Sequence, residues 1–256
     1  MFKFKGISST DMQVIVEEEE HFLAKAAQRY EVTEIEGKDD AIFDELGYSF
    51  VERPVYIQCL NPKKIDEILA WLDGEGELEY KGRKTKARFY TELEPKRTAG
   101  IKIIDANFIR APFWVKADDD YIGVTNNIQN VGNKTSRPVI KIEKGTSNSI
   151  ELTLGGVRFK YTFSENDTYV EIDCEEKTVV YEGLNRNRNL EIGYEFPKLE
   201  VGDNSIVIHS GSATVKIKRK DRWLWLKYLM QQIQFLIQQE MLLLILYIVM
   251  KLRKSL

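Results

Sequence analysis

This sequence predicts a mainly β fold built from antiparallel sheets. Three observations carry that reading. Apolar and polar residues alternate through most of the second half, turn-forming residues interrupt the alternation at short intervals, and one internal segment stands out with a helical period.

The first half is the less regular one. QVIV (13–16), RYEVTEIEG (29–37), YSFVERPVYIQCL (48–60), IKIID (101–105) and NFIRAPFWV (107–115) read as strands. Between them lies the helix. Asn61 is a good N-cap, and Pro62 sits where its missing N–H costs nothing. Ile65, Ile68, Leu69 and Leu72 then form one apolar stripe that packs against a sheet, with Gly74 as its end and the GEG of 74–76 as a turn. ADDDYIGVTNNIQNVGNKTSRP (117–138), rich in Asn, Asp and Gly, reads as the boundary between halves.

From residue 139 the period is two. VIKI opens the run, and IELTL (150–154) meets Gly155-Gly156, a two-residue hairpin signal. Val157, Phe159, Tyr161 and Phe163 share one parity, as do Val170, Ile172 and Cys174 further on. TVVYE (178–182) and LEIGYEF (190–196) follow, then Ile206 with Ile208, and Ala213, Val215 and Ile217. Short half-buried strands at this spacing predict a β-sandwich. FPKLEVGDNSIVI (196–208) packs a Pro, a Gly and an Asp-Asn pair between two apolar runs. It is either an active-site loop or a turn into the last strands.

Composition bounds the function. With 43% hydrophobic and 30% charged residues the chain reads as folded, and a net charge of −3 gives no global pull toward nucleic acid or anionic membranes. Two cysteines, Cys59 and Cys174, form no disulfide framework. The N-terminus lacks an apolar core of signal-peptide length, so folding in a cytoplasm is expected.

Chemistry-bearing residues are sparse. His21 and His209 stand apart from any metal-ligand spacing, and no phosphate loop or nucleophile elbow is present. Glu17 to Glu20 read as a solvated run, Asp118 to Asp120 as a linker turn without calcium-loop spacing, and Asn185 to Asn189 as a loop. In EYKGRKTKARFY, the cations Lys81, Arg83, Lys84, Lys86 and Arg88 lie between Tyr80 and Phe89-Tyr90. They fit either a nucleic-acid track with stacking platforms or an exposed hairpin, and the acidic balance of the chain favours the hairpin. No catalytic, cofactor-binding or metal-ligating residue is assigned, and an enzyme is not expected.

The order of pieces in the second half resembles a known family. SRPVIKIEKGTSNSIELTLGGVRFKYTF, VEIDCEEKTVVYEGLNRN and FPKLEVGDNSIVIHSGSATVKIKRKDRWL follow one another as a Pro-led strand, a Gly hairpin, an IDC strand, an FP-led turn and a last strand closing on Arg222-Trp223-Leu224. Over about ninety residues this set resembles the distal tail protein (Dit) family of long, non-contractile-tailed phages and prophages. EIEGKDDAIFDELG resembles the family's N-terminal turn, with Lys38, Asp39 and Asp40 replacing its last three residues, and IDEILAWLDGEGELEYKG resembles its helix and following turn.

The resemblance implies a β-rich N-terminal domain over 1–125 with one packed α-helix, and a galectin-like antiparallel sandwich over 126–224. It implies a structural protein of the virion tail tip, assembled in the host cytoplasm. There it forms a ring, expected as a hexamer, that joins the tail tube to a tail-associated lysin or fibre protein and serves as a hub for host adsorption. DNA passes without being read in sequence. It implies that the FP-led turn is fold chemistry, and it makes Lys81 to Arg88 and Glu17 to Glu20 candidate mating patches. The alternative is a carbohydrate-binding module for cell-wall glycans, which would need exposed sandwich aromatics. Phe159, Tyr161 and Phe163 share a parity that suits the core better.

Residues 225–256 form an appended tail. Met241 to Met250 is an apolar run of ten, about half of the ~20 residues a bilayer span needs, and Glu240 with its Gln neighbours is expensive in lipid. Leu226, Leu229, Met230, Ile233 and Ile237 recur at spacings of three and four, which predicts an amphipathic helix and no membrane span.

Overall fold

A computed structural model describes residues 1–17, 19–90, 94–98, 101–124 and 126–225. The predicted tail helix therefore lies outside the described residues. Met1–Leu224 forms one compact unit, and it is mainly β.

The N-terminal elements are β1 (Phe2–Phe4), β2 (Ile7–Ser8), β3 (Val14–Glu17), β4 (Gln28–Glu34), β5 (Ala41–Tyr48), β6 (Val51–Cys59), α1 (Ile65–Leu72), β7 (Gly74–Tyr80), β8 (Arg83–Phe89), β9 (Glu94–Thr98), β10 (Ile101–Arg110) and β11 (Trp114–Lys116). One large sheet runs in the order β2-β1-β7-β8-β10-β6-β3, with β9 on β10 and β11 on β8. MFKF supplies β1 because Phe2 and Phe4 point inward, 1% and 0% exposed, while Lys3 points out to Glu79. Aromatic contacts weld this core. Phe4 meets Phe89 edge-on at 5.1 Å, and Phe22, from a 3-10 turn, meets Phe108 at 5.0 Å.

The helix forms where predicted, after a 3-10 turn at Pro62–Lys64 in which the Asn61 side chain accepts from Lys63 N at 3.2 Å. Its buried face differs from the expected stripe. Ile65, Ile68, Trp71 and Leu72 are buried, whereas Leu69 is only partly so. The indole decides this: Trp71 stacks on Phe2 at 5.5 Å and donates Nε1–H to the Phe4 carbonyl at 2.8 Å, pulling the face toward β1. GEG is not a turn but the start of β7. A Cβ at Gly76 would collide with the Lys5 side chain and press on the Phe4 ring, so glycine lets β1 lie close.

The second group comprises β12 (Ile122–Gly123), β13 (Asn127–Asn130), β14 (Val139–Lys144), β15 (Ser149–Leu154), β16 (Val157–Thr162), β17 (Tyr169–Asp173), β18 (Thr178–Tyr181), β19 (Leu184–Asn185), β20 (Leu190–Ile192), β21 (Gly202–Ser210), β22 (Ala213–Lys218) and β23 (Arg222–Trp223). Two antiparallel sheets, β12-β22-β14-β17-β18-β19 and β13-β21-β15-β16-β20, share one apolar core, the sandwich that was predicted. Ile140, Ile142, Val170, Ile172 and Ile217 meet Leu152, Leu154, Phe159, Tyr161 and Ile206 there. The supposed boundary segment contributes β12 and β13, too short to show a period but each paired into a sheet. Ile206 enters the core as expected; Ile208 does not, and is 43% exposed. A register shift between Glu151 and Leu152 disturbs the β15–β21 pairing just beyond Ile208.

The FP-led turn is held by side-chain mimicry of backbone pairing. Asn204 accepts from Glu200 N at 2.8 Å and donates to the carbonyls of Glu200 (2.8 Å) and Gly202 (3.0 Å). Leu199, fully buried, exchanges two 2.9 Å backbone bonds with Ser136. Gly202 takes the left-handed conformation with φ +96°. Both cysteines are free and buried, and burial pushes the Cys174 thiol up to about 12.

Candidate assembly surfaces

The basic stretch is an exposed hairpin, β7–β8. Thr85, Ala87 and Phe89 face inward, so Lys84, Lys86 and Arg88 fall on the outer face with Glu75, Glu77 and Glu79 of β7. Lys86 pairs with Glu75 at 2.8 Å and Lys84 with Glu77 at 3.1 Å, while Lys3 reaches Glu79 at 3.4 Å. Lys84 and Lys86 are thus answered by their own hairpin, and such exposed pairs contribute little stability. Phe89 is buried at 3%, so it offers no stacking platform. Of the acidic run, Glu17 accepts from Gln58, and the Glu18 to Glu20 side chains lie outside the described residues. His21 Nδ1 bonds the Pro54 carbonyl at 2.7 Å, and His209 Nε2 meets Thr153 Oγ1 at 2.8 Å, each tied to its own neighbourhood.

A surface that the sequence reading did not single out is the ribbon β4–β5. Its strands pair with each other and with no other strand among the described residues. Tyr30, Val32 and Phe43 share one face and are 56%, 45% and 64% exposed, with Tyr30 and Phe43 rings 5.9 Å apart. Residues 28–48 carry seven carboxylates against two cations. The ribbon's root is stapled by Arg110, 1% exposed, which donates to the carbonyls of Phe22 (3.0 Å), Ala111 (2.7 Å) and Ala24. Burial pulls this guanidinium down to about 10.

A seam joins the large sheet to the sandwich. After β22 the chain leaves the sandwich, and β23 pairs with β11, Trp114 opposite Trp223. The Arg83 guanidinium lies 3.2 Å over the Trp223 ring. Arg222 O accepts from Asn133 N at 2.9 Å, and Leu224 N donates to Asn133 Oδ1 at 2.8 Å. Asp221, 2% exposed, pairs with Arg219 at 3.1 Å; burial outweighs that cation and holds its carboxyl above the usual range. Within the sandwich the opposite holds for Asp167. Arg186 grips it at 2.8 and 2.9 Å, and this bidentate bond keeps its carboxyl below the usual range. Phe159, Tyr161 and Phe163 are buried at 3%, 0% and 6%, so they form core and no sugar platform.

Comparison with known proteins bears on this architecture. The family profile described as siphovirus-type tail component, C-terminal domain, matches residues 131–223. The crystal structure of the SPP1 Dit (gp 19.1) protein, described as a paradigm of the hub adsorption apparatus in Gram-positive infecting phages, has the same fold. The TM-score is 0.63 at 14% identity, over 85% of this chain and 97% of that one. The family profile thus covers the sandwich, and the likeness in fold extends over most of the chain. A chain of the phage P2 baseplate in its activated conformation with Ca is also similar, at TM-score 0.44 and 9% identity over 83% of this chain and 92% of that one. No curated protein matches this chain.

Proposed function

We propose that this chain is a phage distal tail protein, a structural component of the tail, and that it forms a closed ring at the tail tip. The ring, a hexamer, joins the tail tube to a tail-associated lysin or fibre protein and acts as a hub for host adsorption. Residues 1–125 build the ring, and the sandwich of 126–224 faces outward. Assembly takes place in the bacterial cytoplasm, and no step calls for catalysis. The observation that carries this reading is the fold shared with a hub adsorption protein across 97% of that protein's length. Closed cyclic assemblies need a heterologous contact, one patch meeting a different patch on the neighbour, and the two ends of the large sheet differ in this way.

Light scattering on the eluting full chain, alone and with the tail tube protein, tests it. A mass near six times 29.8 kDa is expected. A chain that stays monomeric in both samples overturns the ring.

A further inference from the structure

We propose that the seam between the large sheet and the sandwich encloses bound water, which bridges Arg83 of the sheet to Asp221 of the segment leaving the sandwich. The inference stands apart from the ring reading and concerns how one chain joins its two halves.

Unpaired polar atoms carry the first argument. Among the described residues four buried side-chain atoms have no hydrogen-bond partner within the chain: Arg83 Nη1, Trp114 Nε1, Arg219 Nε and Asp221 Oδ1. All four belong to residues of the seam. Arg83 stacks on Trp223, Trp114 stands opposite Trp223 in the β11–β23 pair, and Arg219 and Asp221 lead into β23. Folded proteins pair nearly all of their buried polar atoms, and water completes the pairs that side chains leave open. A buried water makes two to four hydrogen bonds, so donors and an acceptor gathered in one place suit it.

Charge and geometry supply the second argument. Asp221 is 2% exposed, and its Oδ2 meets Arg219 Nη2 at 3.1 Å while Oδ1 stays open. Arg219 is already divided between two acceptors, because its Nη1 donates to the Gln129 carbonyl at 2.8 Å. The second cation comes from the sheet. Asp221 and Trp223 alternate with Arg222, and the Arg83 guanidinium lies 3.2 Å over the Trp223 ring. Burial pulls that guanidinium down to about 10, and the nearby Asp221 charge acts against the pull. Arg83 and Asp221 therefore feel one another, yet Nη1 of one and Oδ1 of the other both reach no protein partner. Opposite charges close enough to interact but not in contact are what a bridging water joins.

A pair inside the sandwich gives the contrast. Asp167, 1% exposed, is gripped directly by Arg186 at 2.8 and 2.9 Å, and none of the four unpaired atoms belongs to it.

A high-resolution crystal structure of the full chain tests the bridge. An ordered water is expected within about 2.5–3.2 Å of both Asp221 Oδ1 and Arg83 Nη1. Arg83 Nη1 bonded directly to Asp221 Oδ1, or no density between them, overturns the proposal. Urea unfolding of full-length variants asks whether the two residues are coupled in solution. Asp221→Asn, which keeps the side chain's shape, should change the unfolding constant by one factor in the unaltered chain and by another in Arg83→Met. The two factors should differ about fivefold or more. Equal factors would mean that nothing joins the two residues, and the bridge would be wrong.

Discussion

Two hairpins of this molecule look alike in sequence and end in opposite environments. β15–β16 pairs Ile150 with Tyr161 and Leu152 with Phe159, and all four are buried in the sandwich. β4–β5 pairs Val32 with Phe43 and sets Tyr30 beside them, and all three are exposed. Alternation specifies a strand with one apolar face. It does not specify what covers that face, which depends on where the chain before and after it travels. In β15–β16 the cover is the opposite sheet of the same chain; in β4–β5 none of the described strands supplies one.

Four measurements would break or sharpen the contrast. The largest effect should come from a strand with almost no pattern at all. Arg222–Trp223 is two residues long, yet Trp223 and Leu224 are 5% and 1% exposed at the seam. A chain ending at Lys220 should lose about 3–6 kcal/mol relative to one ending at Leu224, from two buried large side chains at about 1.5–3 kcal/mol each. Equal melting temperatures for the two would mean that the seam adds nothing.

Next comes Leu152→Ala in the buried hairpin. The lost burial and the cavity should cost about 2–5 kcal/mol in denaturant unfolding. A loss below about 1 kcal/mol would mean that the sandwich core collapses around the gap and that burial does not separate the hairpins.

The third concerns charge. Asp167→Asn should lower stability by removing the charge that Arg186 grips. Because Arg186 holds the folded carboxyl below its unfolded value of about 3.9, the contribution is full above that pH. It is lost as pH falls through the lower folded value. Asp221 has the opposite sign. Its folded value is raised by burial, so its charge costs the seam stability as pH rises from the ordinary carboxylate range through the folded value. Acid titration of unfolding in the variants Asp167→Asn and Asp221→Asn should therefore shift the pH dependence in opposite directions. Parallel shifts would contradict both assignments.

The smallest effect belongs to the ribbon. Val32→Ala, at an exposed site, should change monomer stability by no more than about 0.5 kcal/mol. A loss above about 1 kcal/mol would show that the ribbon is already covered within its own chain.

What the sequence by itself determined is local or periodic. The sandwich strands from 139 onward, the Asn61-Pro62 helix start, the Gly155-Gly156 hairpin and the FP-led turn were legible because each depends on alternation, a cap or a backbone preference within a few residues. The resemblance to a phage tail family was legible from the order of those same pieces, and the matching profile spans them.

Only the tertiary structure decided the rest. Trp71 replaced Leu69 on the helix's buried face because the Phe4 carbonyl and Phe2 ring come from a strand sixty-seven and more residues away. GEG became a strand because β1 lies against it, and β12 and β13 were invisible because strands of two and four residues carry no period. Two lysines of the basic stretch, Lys84 and Lys86, are paired with glutamates in the neighbouring strand, which follows from cross-strand register rather than from sequence. The exposed ribbon read like any other strand. Burial is a property of three-dimensional neighbours, and no spacing within 28–48 records their absence.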